Sequence, residues 1–341
     1  MELPKSYFAC VLHRPGDDWS LQEVELKPPQ PGEILIKIRC CGFCHTDLST
    51  QAGHLGSMVQ WPTTPGHEIV GDVVAIGDNV KQWKIGDRVG GSWHGGHDLT
   101  CRPCTEGHFQ GCEKQVINGI HKPGGFAEYC TLRSEAVVAL PKDLNPVDAA
   151  PLLCAGVTMF TSMRHQNVRP GETVAIQGLG GLGHLGVQYA AKMGYSVVVI
   201  SGDASKENDA FALGAHHFID AKAKDAACEL KKLGGAQLIV ITAPNPNIIG
   251  QYTDCLKWGG KLLVLAPVDG VVLNAAHLIH NSCSVGGWHA GSALDCQYTV
   301  EFSQLTGIKP MVDVFPFSQV KEAANLVASG KCRYRVVLTM D

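Results

Sequence analysis

No stretch of the chain holds enough consecutive apolar residues to make a membrane-spanning helix, so a protein embedded by helices is excluded. An excess of positive charge is also missing. Against 32 acidic residues stand 28 lysines and arginines, and a net charge of −4 leaves no basic footprint for nucleic acid. Residues Met1 to Ser6 lack the charged start and apolar middle of a secretory leader, which makes a cytoplasmic protein the expectation. There is no internal repeat, low-complexity tract or long block of like charge. What remains is a globular balance, 45% hydrophobic against 18% charged, over 341 residues, room for about two domains.

Cysteine, by contrast, is plentiful: there are 14, several of them grouped with histidine and carboxylate and the rest scattered through apolar segments such as Ala9–Val11. Reduced thiols and metal ligation suit that distribution better than a disulfide framework. The richest group runs Gly42-Phe-Cys-His-Thr-Asp47, then Gly66-His-Glu68, then Leu153-Cys154. A catalytic zinc takes three protein ligands from such a set and keeps a further position open. Cys44, His67 and Cys154 fill those roles, with Glu68 either a transient fourth ligand or a nearby carboxylate. Asp47 is placed to orient His67 by accepting from the ring nitrogen that does not hold metal, or else caps a turn. His67 opens an alternating segment from Gly66 to Gly77 that reads as a half-buried strand.

Beyond Arg169-Pro-Gly171 the pattern changes. Glu172–Gln177 reads as a buried strand, Gly178-Leu-Gly-Gly-Leu-Gly183 as a tight turn, His184–Met193 as a helix and Ser196–Ile200 as a second strand. This order, with further strands at Gln237–Thr242 and Lys261–Ala266 and a helix at Ala204–Leu213, predicts a parallel dinucleotide-binding sheet. A tail helix is expected at Ser318–Ser329 and a last strand at Arg335–Thr339.

The three metal-ligand motifs, taken in order, resemble the zinc-dependent alcohol dehydrogenases of the medium-chain dehydrogenase/reductase superfamily. The resemblance implies an α/β chain in which a Rossmann doubly wound parallel sheet is inserted in a partly open, barrel-like β catalytic domain. The expected divisions are residues 1–153 for the catalytic domain, 154–290 for the Rossmann domain and 291–341 for the return to the first. It further implies hydride transfer between a zinc-bound alcohol or aldehyde and a nicotinamide cofactor, and a dimer or tetramer of identical chains. The alternatives are a related reductase of an activated alkene or quinone, whose members mostly lack the zinc ligands, and a non-catalytic binding protein on the same fold.

By the same resemblance Thr46 hydrogen-bonds the substrate oxygen and passes on its proton. His45 and Arg335 stand at basic positions near the cofactor pyrophosphate, and Thr158, Gly178, Gly180, Gly181, Leu182 and Gly183 match the cofactor-binding segments. Where many relatives end a proton relay in histidine, this chain has Ser49; His54 is a substitute or simply an exposed loop residue. Trp93 and Trp288 match pocket-lining or nicotinamide-proximal positions, which favours an apolar or aromatic primary alcohol, though both also suit a core. Ser201 stands where NAD-using relatives carry an acid, and with Lys206 nearby this favours NADP(H); Asp203, two residues on, argues for NAD(H). Finally, Asp98, Cys101, Cys104 and Cys112 follow the C-x2-C-x2-C-x7-C spacing of the family's structural-zinc lobe with aspartate in the first place. Carboxylate oxygen is an acceptable zinc ligand. The alternatives are ligation by His94 or His97, or a lobe without metal.

Overall fold

A computed structural model describes residues 3–340; Met1, Glu2 and Asp341, at the outer ends of the first and last predicted domains, lie outside the described residues. The chain forms two compact units. One runs to Val157 and resumes over Ala290–Leu305 and from Lys309, and the other comprises Thr158–His289 with Thr306–Ile308.

The first unit is built on the strand Glu33–Phe43, whose isoleucines and C-terminal cysteines are buried with almost no interruption. It lies between Glu68–Ile76 and Arg335–Thr339, both antiparallel to it, and also pairs with Tyr129–Arg133. The last strand of the chain thus returns to one of the first, through the apolar contacts of Ile36, Ile38, Phe43, Val336 and Leu338 in one core. Phe43 and Phe126 meet in that core with ring centroids 4.8 Å apart. Burial of this kind contributes about 25 cal/mol per Å² of apolar surface, and it fixes the register from which the site is built.

In the second unit six strands pair in parallel, in the order His217–Asp220, Ser196–Ser201, Thr173–Gln177, Ala236–Ile241, Leu256–Val264, Ser284–Gly287. In chain order this is third, second, first, fourth, fifth and sixth, the doubly wound arrangement that reverses beside the first strand. Val174, Ala175, Ile176 and Val197 to Val199 are fully buried, as strands covered on both faces require.

Element boundaries differ from expectation by more than one residue in four places. The strand after His67 starts at Glu68, because Gly66 takes a φ of 98° and turns the chain just before it. The helix expected over Ala204–Leu213 divides into a 3-10 turn, Ala204–Lys206, and a helix, Glu207–Ala212, since Asp203 caps the turn through Ser205 N. The strand expected at Lys261–Ala266 begins earlier, at Leu256, with a register shift opposite Ala236–Leu238, and ends at Val264. In the tail, Phe317–Gln319 forms a 3-10 turn before the helix Val320–Ser329.

Candidate active site

Pairing between the strands Glu33–Phe43 and Glu68–Ile76 sets Gly42 opposite Glu68. Any side chain at Gly42 would overlap the Glu68 carboxylate, so the glycine makes the space in which that group is buried. Two residues on, Cys44 takes an extended conformation at the N-cap of the helix His45–Gln51. Asp47, in the first turn of that helix, accepts from Cys44 N at 2.9 Å through one oxygen and from Gly66 N at 3.0 Å through the other. It therefore ties the backbone before one prospective ligand to the backbone at another. The second oxygen also lies 3.6 Å from His67 Nδ1. One carboxylate thus holds both backbone segments and stands beside the histidine, without making the hydrogen bond to its ring that the sequence led us to expect. Cys154 follows the 3-10 turn Ala150–Leu153, and its Sγ lies 3.9 Å from Cys44 Sγ.

Ligand atoms of Cys44, His67, Glu68 and Cys154 all fall within 4.8 Å of one another. His67 is 1% exposed, yet neither ring nitrogen has a hydrogen-bond partner, and Glu68 Oε2 has none either. Buried polar atoms without partners are costly in a dry interior. Two sulfurs, an imidazole and a carboxylate gathered this closely, the ring nitrogens and one carboxylate oxygen unpaired, are the donor set a zinc ion satisfies. The Cys154 contact, with help from His67 and Arg335, draws the Cys44 thiol well below its usual range against the effect of burial. Cys44 and then burial push the Cys154 thiol up. The two sulfurs thus share one proton between them as a pair, and a bound metal would favour both as thiolates.

Sequence reasoning gave Arg335 no partner within the protein. Its Nη2 donates to Glu68 Oε1, and both side chains are almost wholly buried. Burial raises the Glu68 carboxyl to about 7 even though Arg335 opposes the shift. This ion pair joins residues 267 positions apart, and only the pairing of Val336 with Phe43 brings them together.

Around this group, Thr46 Oγ1 is 3.5 Å from Cys44 Sγ. The Trp93 ring stands edge-on to His67 with centroids 5.1 Å apart. His45 is exposed on the helix, Ser49 Oγ donates to His45 O at 3.4 Å, and His54 is exposed. Trp288 belongs to the other unit and stacks on His165 at 4.6 Å.

The second unit contains the glycine turn. Gly178 has a φ of 95°, and Gly183 begins the ten-residue helix Gly183–Lys192 at a point where a side chain would overlap Gly178 O. Thr242 Oγ1 donates to Gln177 O at 2.8 Å, locking the turn to the neighbouring strand. Backbone amides at such a helix start suit a pyrophosphate. Gly180, Gly181, Leu182 and Thr158 are all partly exposed, the first three on the turn and Thr158 on the helix Ala155–Arg164. Ser201 ends the second strand and is buried. Lys206 Nζ donates to Leu179 O at 2.9 Å, reaching back to the turn.

In the first unit Asp98, Cys101, Cys104 and Cys112 also bring ligand atoms within 4.8 Å of one another. Asp98 Oδ1 accepts from Thr100 N at 2.9 Å and Cys101 N at 3.1 Å, and these bonds hold its carboxyl far below the usual carboxylate range. Cys101 Sγ is 3.7 Å from Cys112 Sγ. His94 and His97 are outside this group: they stack on each other, with His97 Nδ1 3.2 Å from His94 Nε2.

Comparison with known proteins agrees with this geometry. Residues 30–142 match the model of the alcohol dehydrogenase GroES-like domain, and residues 181–304 that of the zinc-binding dehydrogenase domain. An alcohol dehydrogenase, patD, of Penicillium expansum is 46% identical over 99% of this chain and 98% of its own. A cinnamyl alcohol dehydrogenase from Sorghum bicolor superposes with a TM-score of 0.89 at 30% identity, over 98% of both chains. CAD from Helicobacter pylori, solved in complex with NADP(H), gives a TM-score of 0.87 at 27% identity, again over 98% of both. With its two large sheets, its glycine turn and its cysteine and histidine cluster, the chain belongs to the zinc-type alcohol dehydrogenases of the medium-chain dehydrogenase/reductase family.

Proposed function

We propose that the protein is an NADP(H)-dependent zinc alcohol dehydrogenase or aldehyde reductase, acting on an apolar or aromatic primary alcohol or its aldehyde. The observation that carries the reading is the meeting of Cys44, His67 and Cys154, with both buried ring nitrogens of the histidine lacking a hydrogen bond. Bound zinc supplies a Lewis acid that lowers the pKa of an alcohol hydroxyl, and a bound nicotinamide supplies the acceptor for hydride. Cys44, His67 and Cys154 would hold the metal, the two thiolates balancing its charge. Asp47 keeps Cys44 and the His67 turn in position through its two backbone bonds. Oxidation removes a hydride from carbon and a proton from oxygen; the Thr46 hydroxyl receives the proton's hydrogen bond and hands it toward solvent. Arg335 neutralises Glu68 beside the ligands, so that the carboxylate does not compete as a free charge. Trp93, edge-on to His67, supports an apolar substrate. Kinetics across short aliphatic, benzylic and cinnamylic alcohols should favour the aromatic ones, and a flat profile would remove that part of the reading.

The coenzyme reading rests on Ser201, which lacks the charge that repels a 2′-phosphate. Asp203, the competing acid, is engaged through one oxygen in the cap of its own turn: its Oδ1 accepts from Ser205 N at 3.0 Å and Ser205 Oγ at 2.7 Å, which supports the same reading. The expected result is a kcat/KM for NADPH at least about tenfold above that for NADH, and a reversal in Ser201→Asp, since one charge at hydrogen-bond range is worth roughly 1–4 kcal/mol near a surface. A clear NADH preference in the unaltered enzyme would show that Asp203 or another acid governs the ribose site.

For Asp98, Cys101, Cys104 and Cys112 we propose a structural zinc. Their side chains close on one another while the intervening loop has only the short helix Arg102–Thr105 and the 3-10 turn Phe109–Gly111 to hold it. The unaltered protein should contain close to two zinc ions per chain, and Cys104→Ser about one, with lower thermal stability. One zinc per chain in the unaltered protein, lost on Cys44→Ser, would mean that this lobe binds none.

A further inference from the structure

We infer that Lys222 is a second cation for the coenzyme's 2′-phosphate and so a determinant of coenzyme choice; the inference rests on the NADP(H) reading above. Nothing in the local sequence draws attention to this lysine, which lies 21 residues beyond Ser201. The sheet brings the two together. Ser201 pairs in parallel with Asp220, and Ala221 N donates to Ser201 O at 2.9 Å, so the residue after Ala221 emerges beside the end of the neighbouring strand. There the Lys222 stem passes over Gly202: its Cγ and Cε would each lie 3.8 Å from a Cβ built on that glycine. Lys206 lies in the turn that follows the same strand, and its Nζ donates to Leu179 O at 2.9 Å in the glycine turn. A ligand carrying a phosphate beside Ser201 would thus meet the Lys222 side chain at Gly202, with Lys206 on the turn that follows.

The acidic residues nearby are Asp203 and Asp220. Asp203 Oδ1 is held in its cap by Ser205, and Asp220 Oδ1 accepts from Lys222 N at 2.9 Å and Ala223 N at 3.3 Å. Each carboxylate is thus bonded within its own turn. Among the described residues the Lys222 ammonium makes no ion pair, leaving its charge available to a phosphate. A doubly charged phosphate near two lysines gains from both, and the gain falls with added salt because the site is exposed.

The test is calorimetric and needs no turnover. Adenosine 2′,5′-bisphosphate and adenosine 5′-monophosphate, which differ only in the 2′-phosphate, are titrated into the zinc-loaded full chain and its variants. The unaltered protein should bind the bisphosphate at least about tenfold more tightly. Lys222→Ala should lose roughly tenfold for the bisphosphate and change little for the monophosphate, while Lys222→Arg retains both affinities. Should Lys222→Ala bind the bisphosphate as well as the unaltered protein does, or weaken both ligands equally, the role of Lys222 is refuted while the coenzyme reading stands. An unaltered protein that does not prefer the bisphosphate overturns the coenzyme reading itself, and this inference with it.

Discussion

Cys154→Ser is expected to reduce kcat/KM for alcohol oxidation by roughly three orders of magnitude or more, to remove about one zinc per chain and to leave the fold intact. The exchange is nearly isosteric, so packing changes little. Chemically it is severe. A serine hydroxyl does not ionise in the range where a cysteine beside a metal does, and neutral oxygen is a poor ligand for a borderline-soft cation. Cys44 would then face His67 with one thiolate in place of two, and the metal's charge would be only half balanced. The residue sits at the end of a short turn, Ala150–Leu153, whose apolar side chains are buried whether or not the sulfur is present. Circular dichroism and the melting profile should therefore resemble those of the unaltered protein more closely than its activity does. Near-normal turnover in this variant would mean that Cys154 is not a ligand.

Arg335→Met should destabilise the first unit by about 3–5 kcal/mol, because it leaves Glu68 without its partner in a site with 0% exposure. Breaking a buried pair costs more than the pair contributes, since the carboxyl left behind must either stay charged without water or partner or take up a proton in a dry site. Adding Glu68→Gln to the same chain should recover much of the loss. That recovery distinguishes the ion pair from simple loss of arginine packing, which the second substitution would not repair. For a unit of this size the single variant should melt on the order of 10 °C below the unaltered protein. Equal melting of Arg335→Met and the unaltered protein would remove the pair from the account of stability.

Residues that act through local spacing are legible along the chain itself. Cys44 to Asp47, the glycines from Gly178 to Gly183 and the Asp98 to Cys112 spacing mark where side chains gather, because a helix start, a turn or a small loop needs particular residues a few positions apart. The parallel sheet is legible for a similar reason, in the near-continuous apolar strands such as Ser196–Ser201. What the sequence conceals depends on which strands pair. Neither Glu68 nor Arg335 points to the other until Glu33–Phe43 lies between their strands. Lys222 gains significance only from the pairing of Ser201 with Asp220. The requirement for glycine at position 42 is likewise invisible along the chain and follows from the carboxylate across the ladder. Element ends are hidden by backbone detail, as at Gly66, whose left-handed turn sets His67 before the strand instead of within it.

The central claim is that alcohol oxidation depends on zinc held by Cys44, His67 and Cys154. It is tested most directly by following zinc content and nicotinamide absorbance on one sample, as a chelator strips the metal and added zinc restores it, with Cys154→Ser as the blank. The account predicts that turnover falls in step with loss of the zinc that the blank lacks and returns when zinc is restored. Full turnover in metal-free protein would contradict it.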